Sequence, residues 1–283
     1  MITEPETLAR VLNQALPYIQ EFRGQTFVVK YGGSAMRDPQ VVEGVLRNVL
    51  LLGLVGIRCV LVHGGGPEID HWLKRLDIPK RTVAGLRVTD EETMEVVEMA
   101  LLKSNKNLVG EIQRLSGSAI GLSGRDDDLL VGRPISDSLG RTGQVEKVNP
   151  RILEQIIATG VIPVVCSVAN DQDHHPLNVN ADSAAAAIAV AVGASKLILL
   201  TDTDGVMENA KDPSTRISEL TRDQARAMIQ DGRASEGMIP KLEAATEAVN
   251  GGVTAVHLIN GATLNSLLTE VFTDHGIGTM MRQ

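Results

Sequence analysis

Cys59-Val60-Leu61-Val62-His63-Gly64-Gly65-Gly66-Pro67 is the stretch whose reading decides the fold. An apolar, β-branched run ends in three residues without side chains. Proline follows, and its fixed φ suits the first position of a helix. Strand, glycine turn and helix in that order leave backbone N–H groups bare at a helix N-terminus, where the dipole adds positive potential. Phe27-Val28-Val29-Lys30-Tyr31-Gly32-Gly33 shows the same strand-to-glycine pattern earlier in the chain and adds a lysine. The pair points to phosphate.

Working outward, strands and helices alternate. Periodicity predicts strands over 26–31, 57–63, 161–168, 196–201, 253–259 and 277–281. It predicts helices over 39–54, 89–115, 150–159, 181–192, 221–231, 236–250 and 263–271. Shorter strand-like pieces fall at 118–122, 128–132 and 144–148. Such alternation implies an α/β fold: an open, mainly parallel central sheet with helices on both faces. Ahead of it, Leu8, Val11, Leu12, Ala15, Leu16 and Ile19 keep helical spacing, and Thr3 with Glu6 fits a capping box. Pro17 is expected to kink or break this N-terminal amphipathic helix. The helix either folds back on its own domain or pairs with another subunit. Thr89 and Glu92 stand at capping-box spacing ahead of the long helix. The polar turn at 170–176 is the best lobe boundary. The expected organisation is therefore an extension over 1–22, a first lobe over 23–175 and a second over 176–283.

Composition bounds the function. The 283 residues are 43% hydrophobic and carry a net charge of −8, which argues against a nucleic-acid binder but not against a nucleotide ligand. Aromatic residues are only 2%, so base-stacking platforms are not expected. No apolar run approaches the ~20 residues that span a bilayer, and the N-terminal residues lack signal-peptide order, so a cytoplasmic protein without membrane contact is expected. Cys59 and Cys166 sit in apolar runs and read as reduced core residues without a metal or disulfide role.

No GxxxxGK[ST] and no GxGxxG occurs, which removes the Walker loop and weakens a dehydrogenase reading. Lys30 before Gly32-Gly33 suits a phosphate oxygen. His63 reads as a hydrogen-bonded packing residue rather than a base. Arg87, just ahead of the long helix, either captures a carboxylate in bidentate fashion or is a surface arginine. In Asn178-Val179-Asn180-Ala181-Asp182 the alternate asparagines face opposite ways, so one can cap the helix while the other faces a ligand. Thr201-Asp202-Thr203-Asp204-Gly205-Val206 lies at a strand's carboxyl end, where ligand loops belong. Lys241 near a helix start opposes the dipole, which implies an anionic partner.

Taken in order, KYGG (30–33), VHGGGP (62–67), GLRVTDEETMEVVEM (85–99), GLSG (121–124), NVNAD (178–182), LILLTDTDGV (197–206), GMIPK (237–241) and FTDHGIGTM (272–280) resemble the amino-acid kinase family. Within it they are most similar to the branch that phosphorylates N-acetyl-L-glutamate. The resemblance implies transfer of the ATP γ-phosphoryl group to a side-chain carboxylate in arginine biosynthesis. It gives Lys30, Lys241, Asp182 and Gly33 catalytic roles, with the lysines flanking the phosphoryl and Asp182 holding them. Gly65, Gly66, Arg87 and Asn178 would bind the amino-acid substrate. Asp202, Thr203, Asp204, Gly205, Val206, Met207, Arg233 and Ser235 would hold the nucleotide. Magnesium would ride mainly on the nucleotide phosphates, with no dedicated protein ligand.

The N-terminal helix resembles the extension of the arginine-inhibited branch, in which it interlaces homodimers into a homohexamer. Matching positions for L-arginine are His257, Glu270 and Gly276, with a further basic contact expected near Glu208 and Lys211. Some photosynthetic relatives also bind the PII signalling protein. Leu139-Gly140-Arg141-Thr142-Gly143-Gln144 departs from the usual valine-bearing GxVG loop and is closer to relatives acting on carrier-bound aminoadipate. Ser104, Asn260 and Asn265-Ser266 are further departures. A sister carboxylate kinase and a catalytically weak arginine sensor are the alternatives.

Overall fold

Val28, Val29, Val60, Leu61 and Val62 are completely buried, because both faces of their strands are covered. Burying each such side chain contributes roughly 1.5–3 kcal/mol before entropy is counted. The computed structural model describes residues 4–33, 36, 38–83, 85–209, 212–235, 237–274 and 276–282. Among them eight strands form one sheet: β1 (Thr26–Tyr31), β2 (Arg58–His63), β3 (Ala119–Ser123), β4 (Ile162–Cys166), β5 (Lys196–Thr201), β6 (Glu219–Leu220), β7 (Ala255–Asn260) and β8 (Thr279–Arg282). Their order is β6-β8-β7-β5-β1-β2-β4-β3. Every pairing is parallel except β7 with β8. The expected mainly parallel sheet is present.

The helices are α1 (Pro5–Phe22), α2 (Pro39–Leu54), α3 (Gly66–Arg75), α4 (Glu91–Arg114), α5 (Arg151–Ala158), α6 (Ala181–Ala191), α7 (Arg222–Gln230), α8 (Ile239–Asn250) and α9 (Ser266–Phe272). Val28, Val60 and Val62 pack into one layer with α5, α6, α7 and α8. Val29, Leu61 and Cys59 pack into the other with α2, α4, α9 and Phe22 of α1. Successive strand residues face opposite layers, so one apolar run serves both. The alanines of α6 let it lie close to the sheet, with Ala184, Ala185 and Ala189 fully buried. Cys59 and Cys166 are free and buried, as expected, and burial pushes both thiols up to about 12.

Three expectations change. Pro17 does not break α1, which runs unbroken through it. Proline forfeits one helical bond, but Pro17 and Asn13, whose carbonyl loses its partner, both face solvent, where water replaces that bond. Thr3 lies outside the described residues, and Glu4 stands at the N-cap without a side-chain bond. Asp90, not Thr89, caps α4 by accepting from the Thr93 N–H, because the Thr89 hydroxyl is buried and engaged elsewhere. The strand expected over 161–168 stops at Cys166, and Val168–Asn170 leaves the sheet.

That departure builds a feature the periodicity does not show. Leu130–Pro134, Thr142–Val148, Val168–Asn170 and Pro176–Val179 close into a small four-stranded barrel. Residues 171–175, where the lobe boundary was expected, are the tip of the hairpin joining the last two of these strands.

Candidate active site

β1 and β2 are neighbours in register, with Lys30 beside Val62 and Tyr31 beside His63, so the two glycine runs emerge side by side. The Gly64 N–H donates to the Tyr31 carbonyl at 3.2 Å. Gly33 has φ +77°, a conformation that glycine adopts without a Cβ penalty. A Cβ there would stand 3.0 Å from the Asp202 carboxylate, which puts the first glycine run against the loop after β5. Gly65 is the N-cap of α3 and makes the bare turn that Pro67 predicted.

α6 supplies the centre of the site. The Asn180 side chain accepts from the Asp182 and Ser183 N–H groups, so it caps α6 and fixes Asp182 in the first turn. Asp182 is only 4% exposed and holds two cations. Lys30 Nζ lies 2.8 Å from one carboxylate oxygen and Lys241 Nζ 3.4 Å from the other. Lys241 stands in the first turn of α8 and also donates to the Gly237 carbonyl at 3.1 Å. Burial acts to raise the Asp182 pKa, but Lys30 and Lys241 outweigh it and hold the carboxyl below the usual range. Two ammoniums from different elements thus converge on one buried anion at the sheet's carboxyl edge, with the Asp202 carboxylate beside the first glycine run.

Arg87 Nη2 donates to Asp70 at 2.5 Å, while its Nη1 is buried without any hydrogen-bond partner. An unpartnered buried guanidinium nitrogen is costly unless something accepts from it. Asn178 Nδ2 donates to the Thr89 hydroxyl at 3.1 Å, and that hydroxyl pairs with Thr142 at 2.8 Å. Thr142 in turn donates to the Arg87 carbonyl. Arg87, Thr89, Thr142 and Asn178 are therefore one connected polar group at the junction of barrel and sheet. A cleft of about 1040 Å³ between α2, α3 and α4 reaches Gly65 and Asp70 but neither lysine.

The nucleotide candidates fall in two places that meet. The loop after β5 is pinned by Thr201 Oγ1 donating to the Thr203 carbonyl and Thr203 Oγ1 donating to that of Gly205. Gly205 has φ +108°, a Cβ on it would stand 2.6 Å from Thr279 Oγ1, and the Val206 N–H donates to that oxygen at 2.7 Å. Val206 itself is a core side chain, whereas Met207 pairs with Arg216. Asp204 accepts from Asn260 Nδ2. Arg233 donates to Glu208 at 2.6 Å, which ties the segment of Arg233 and Ser235 to the end of the 202–207 loop.

His257, Glu270 and Gly276 also come together, on the opposite side of β5 from β1. His257 Nδ1 lies 2.7 Å from Glu270, whose other oxygen accepts from the Ile277 and Gly278 N–H groups. A Cβ on Gly276 would stand 3.4 Å from the same carboxylate. Lys196 Nζ lies 3.3 Å from His257 Nε2 and over the Phe22 ring of α1. Glu208 is engaged by Arg233, and Lys211 lies outside the described residues.

Several contributors were missed in the sequence. Asp70 was one helical turn beyond Gly66, a visible spacing. In the sequence Thr89 reads as a cap, and Thr142 only as a departure from the family loop. Lys196 gave no signal, because its neighbours come from β7 and α1.

A lysine on a glycine-ended strand, a second from a helix start, a buried aspartate between them and a mainly parallel sheet define a phosphoryl-transfer class of α/β protein. The chain belongs to the amino-acid kinase family, whose model matches residues 25–260. The relatives it matches include the acetylglutamate kinase of Trichormus variabilis, 48% identical over 97% of this chain and 93% of the relative. A chloroplastic acetylglutamate kinase of Arabidopsis thaliana is 46% identical over 98% of this chain and 81% of its own length. Among solved structures, an N-acetylglutamate synthase of Neisseria gonorrhoeae complexed with coenzyme A and N-acetyl-glutamate superposes with a TM-score of 0.86 at 27% identity. It covers 97% of this chain, which spans 63% of the synthase chain. A Giardia lamblia carbamate kinase bound to AMP-PNP shares the fold, with a TM-score of 0.67 at 16% identity over 92% of this chain and 98% of its own. Among the described residues no helix is long and apolar enough to cross a membrane.

Proposed function

We propose that the protein transfers the γ-phosphoryl group of ATP to the side-chain carboxylate of N-acetyl-L-glutamate, giving an acyl phosphate in arginine biosynthesis. The observation that carries this reading is the Lys30–Asp182–Lys241 cluster beside two glycine turns. A carboxylate oxygen forms a bond to phosphorus while the bond to the β,γ-bridging oxygen breaks, and ADP leaves with that electron pair. The nucleophile is already ionised, so no general base is needed, and catalysis reduces to positioning and charge stabilisation. Lys30 and Lys241 neutralise the migrating group from two sides. The N–H groups of Gly33 and Gly65 donate to it, and Asp182 sets the spacing of the lysines. Arg87, through its unpartnered Nη1, and Asn178 would hold the substrate α-carboxylate.

Both Asp182 oxygens face lysines, so a magnesium ion would be carried by nucleotide phosphates rather than by this carboxylate. The ion would supply further charge neutralisation. The nucleotide would lie along 202–207 and the segment of Arg233 and Ser235. The barrel side would form the substrate lobe, and the α6–α8 side the nucleotide lobe.

The Arg141 side chain donates to Asp171 at 2.7 Å and to the Pro176 carbonyl at 3.0 Å, so it offers no free cation to an acidic carrier. This favours the free amino acid over a carrier-linked aminoadipate. Arginine feedback is the regulatory part of the proposal, with His257, Glu270 and Gly276 beside α1 as its site, and a homohexamer built through α1. The test is hydroxylamine trapping of the acyl phosphate with ATP and acetylglutamate, glutamate, aspartate or aminoadipate in turn, repeated with arginine. Hydroxamate is expected with acetylglutamate; none from any acceptor refutes the kinase reading.

A further inference from the structure

We infer that Asn105 and His63 form a positioning pair that fixes the direction of the Gly64–Gly65 peptide and so aims the Gly65 N–H into the transfer site. The inference rests on the phosphoryl-transfer reading and adds two residues to it.

Asn105 lies in the middle of α4 and is 1% exposed. Its amide nitrogen stands 2.8 Å from the Val164 carbonyl, 3.1 Å from that of Leu122 and 3.1 Å from His63 Nε2. Main-chain carbonyls only accept, so the nitrogen, not the oxygen, must face them. Its two hydrogens are shared among three acceptors. An amide nitrogen does not accept, so His63 Nε2 must present its lone pair. His63 is completely buried, and burial pushes its pKa down to about 4, so the ring is neutral at pH 7 with its single proton on Nδ1. Nδ1 lies 2.9 Å from the Gly64 carbonyl and donates to it.

One peptide plane carries that consequence forward. In a trans peptide the Gly64 carbonyl and the Gly65 N–H point in opposite directions. Holding the carbonyl towards His63 turns the Gly65 N–H away from the core, and among the described residues no protein acceptor takes it. A run of three glycines has little torsional preference of its own. The pair supplies the direction that the glycines lack, and a donor fixed before the reaction needs no reorganisation during it.

The test combines a tautomer measurement with two variants. Nitrogen NMR of histidine-labelled wild-type protein is expected to show, for the signal lost in both variants, a protonated Nδ1 and a bare Nε2. A protonated Nε2 overturns the pairing, and this readout needs no substrate and no activity. In His63→Asn the amide nitrogen superposes on Nδ1 and keeps the donor to Gly64. In His63→Gln the amide oxygen takes the place of Nε2 and accepts from Asn105, and no donor remains for the Gly64 carbonyl. Both variants should melt lower than wild type, and the smaller asparagine the more so. Turnover with ATP and acetylglutamate should nevertheless stay within about fivefold in His63→Asn and fall about 100-fold in His63→Gln, the scale of losing one such donor. Equal turnover in the two, or the reverse order, refutes the inference. An inactive wild type refutes the kinase reading instead and leaves the NMR result to judge the pair.

Discussion

Replacing Asp182 with asparagine tests the centre of the site most directly. The substitution preserves volume and removes the one charge that Lys30 and Lys241 share, at 2.8 and 3.4 Å. Lys30 is 7% exposed and would remain as a buried ammonium without a counterion. Breaking a buried ion pair by removing one partner costs about 3–5 kcal/mol. The Lys241 side chain is 19% exposed and can turn to water, which favours the lower end, about 3 kcal/mol. For a chain of this size that is a Tm decrease of about 5 °C. The two freed ammoniums should also draw anions, so inorganic phosphate should raise the Tm of Asp182→Asn more than that of wild type. Turnover should fall about 10²–10³-fold as the lysines lose their spacing.

The pH dependence has a definite sign. Burial raises the Asp182 pKa and the two lysines lower it by more, so its folded value lies below its unfolded one. Its contribution is complete above about pH 4 and is lost as pH falls through the folded value. Calorimetry from pH 7 down to pH 3 should show the wild-type and Asp182→Asn melting curves converging in acid. A variant that melts within a degree of wild type at pH 7 and turns over within threefold of it would falsify the assignment of Asp182 as the lysine holder.

Lys30→Ala and Lys241→Ala should each cut turnover by roughly 10²–10³ with the far-ultraviolet circular dichroism unchanged; wild-type turnover in either would remove that lysine from the chemistry. His63 is buried neutral with a pKa near 4 against an unfolded value near 6.5, so stability should erode by up to about 3 kcal/mol as pH falls from 6.5 to 4. The His63→Gln variant should lose much of that acid sensitivity in chemical denaturation. Val11, Leu12 and Leu16 expose an apolar face on α1; under the proposed homohexamer, light scattering should give a hexamer mass for the full chain and a dimer mass after deletion of residues 1–22, and equal masses would refute the proposed interlacing role.

Much of the candidate site was legible in the chain because its parts are local. Lys30 with Gly32-Gly33, and Asn180 capping the helix that carries Asp182, are each set by a few consecutive residues whose geometry follows from strand and helix periods. The strand-to-helix turn at Gly65-Gly66-Pro67 was readable for the same reason. What failed to show was long-range. Thr89 looked like a cap because Asp90 beside it competes for the same role, and only burial against Thr142 decides between them. The strand around Cys166 looked continuous because Cys166, Val168 and Ala169 are all apolar, although the chain changes sheets at Ser167. Pro17 looked like a break because a helix on the outside of the molecule replaces its lost bond with water.

Apolar runs ending in glycine determined by themselves that this chain folds as a mainly parallel α/β sheet with bare glycine turns at its carboxyl edge. Local sterics and the period of side chains are sufficient for that. Tertiary structure alone decided that Lys30 of β1, Asp182 of α6 and Lys241 of α8 meet, since residues as far apart in the chain as these are joined only by strand order and helix packing. It also decided that Asn105, deep in α4, reaches His63 and through it the peptide before Gly65. Hydrogen-bond direction is a property of three-dimensional neighbours, and no spacing along the chain encodes it.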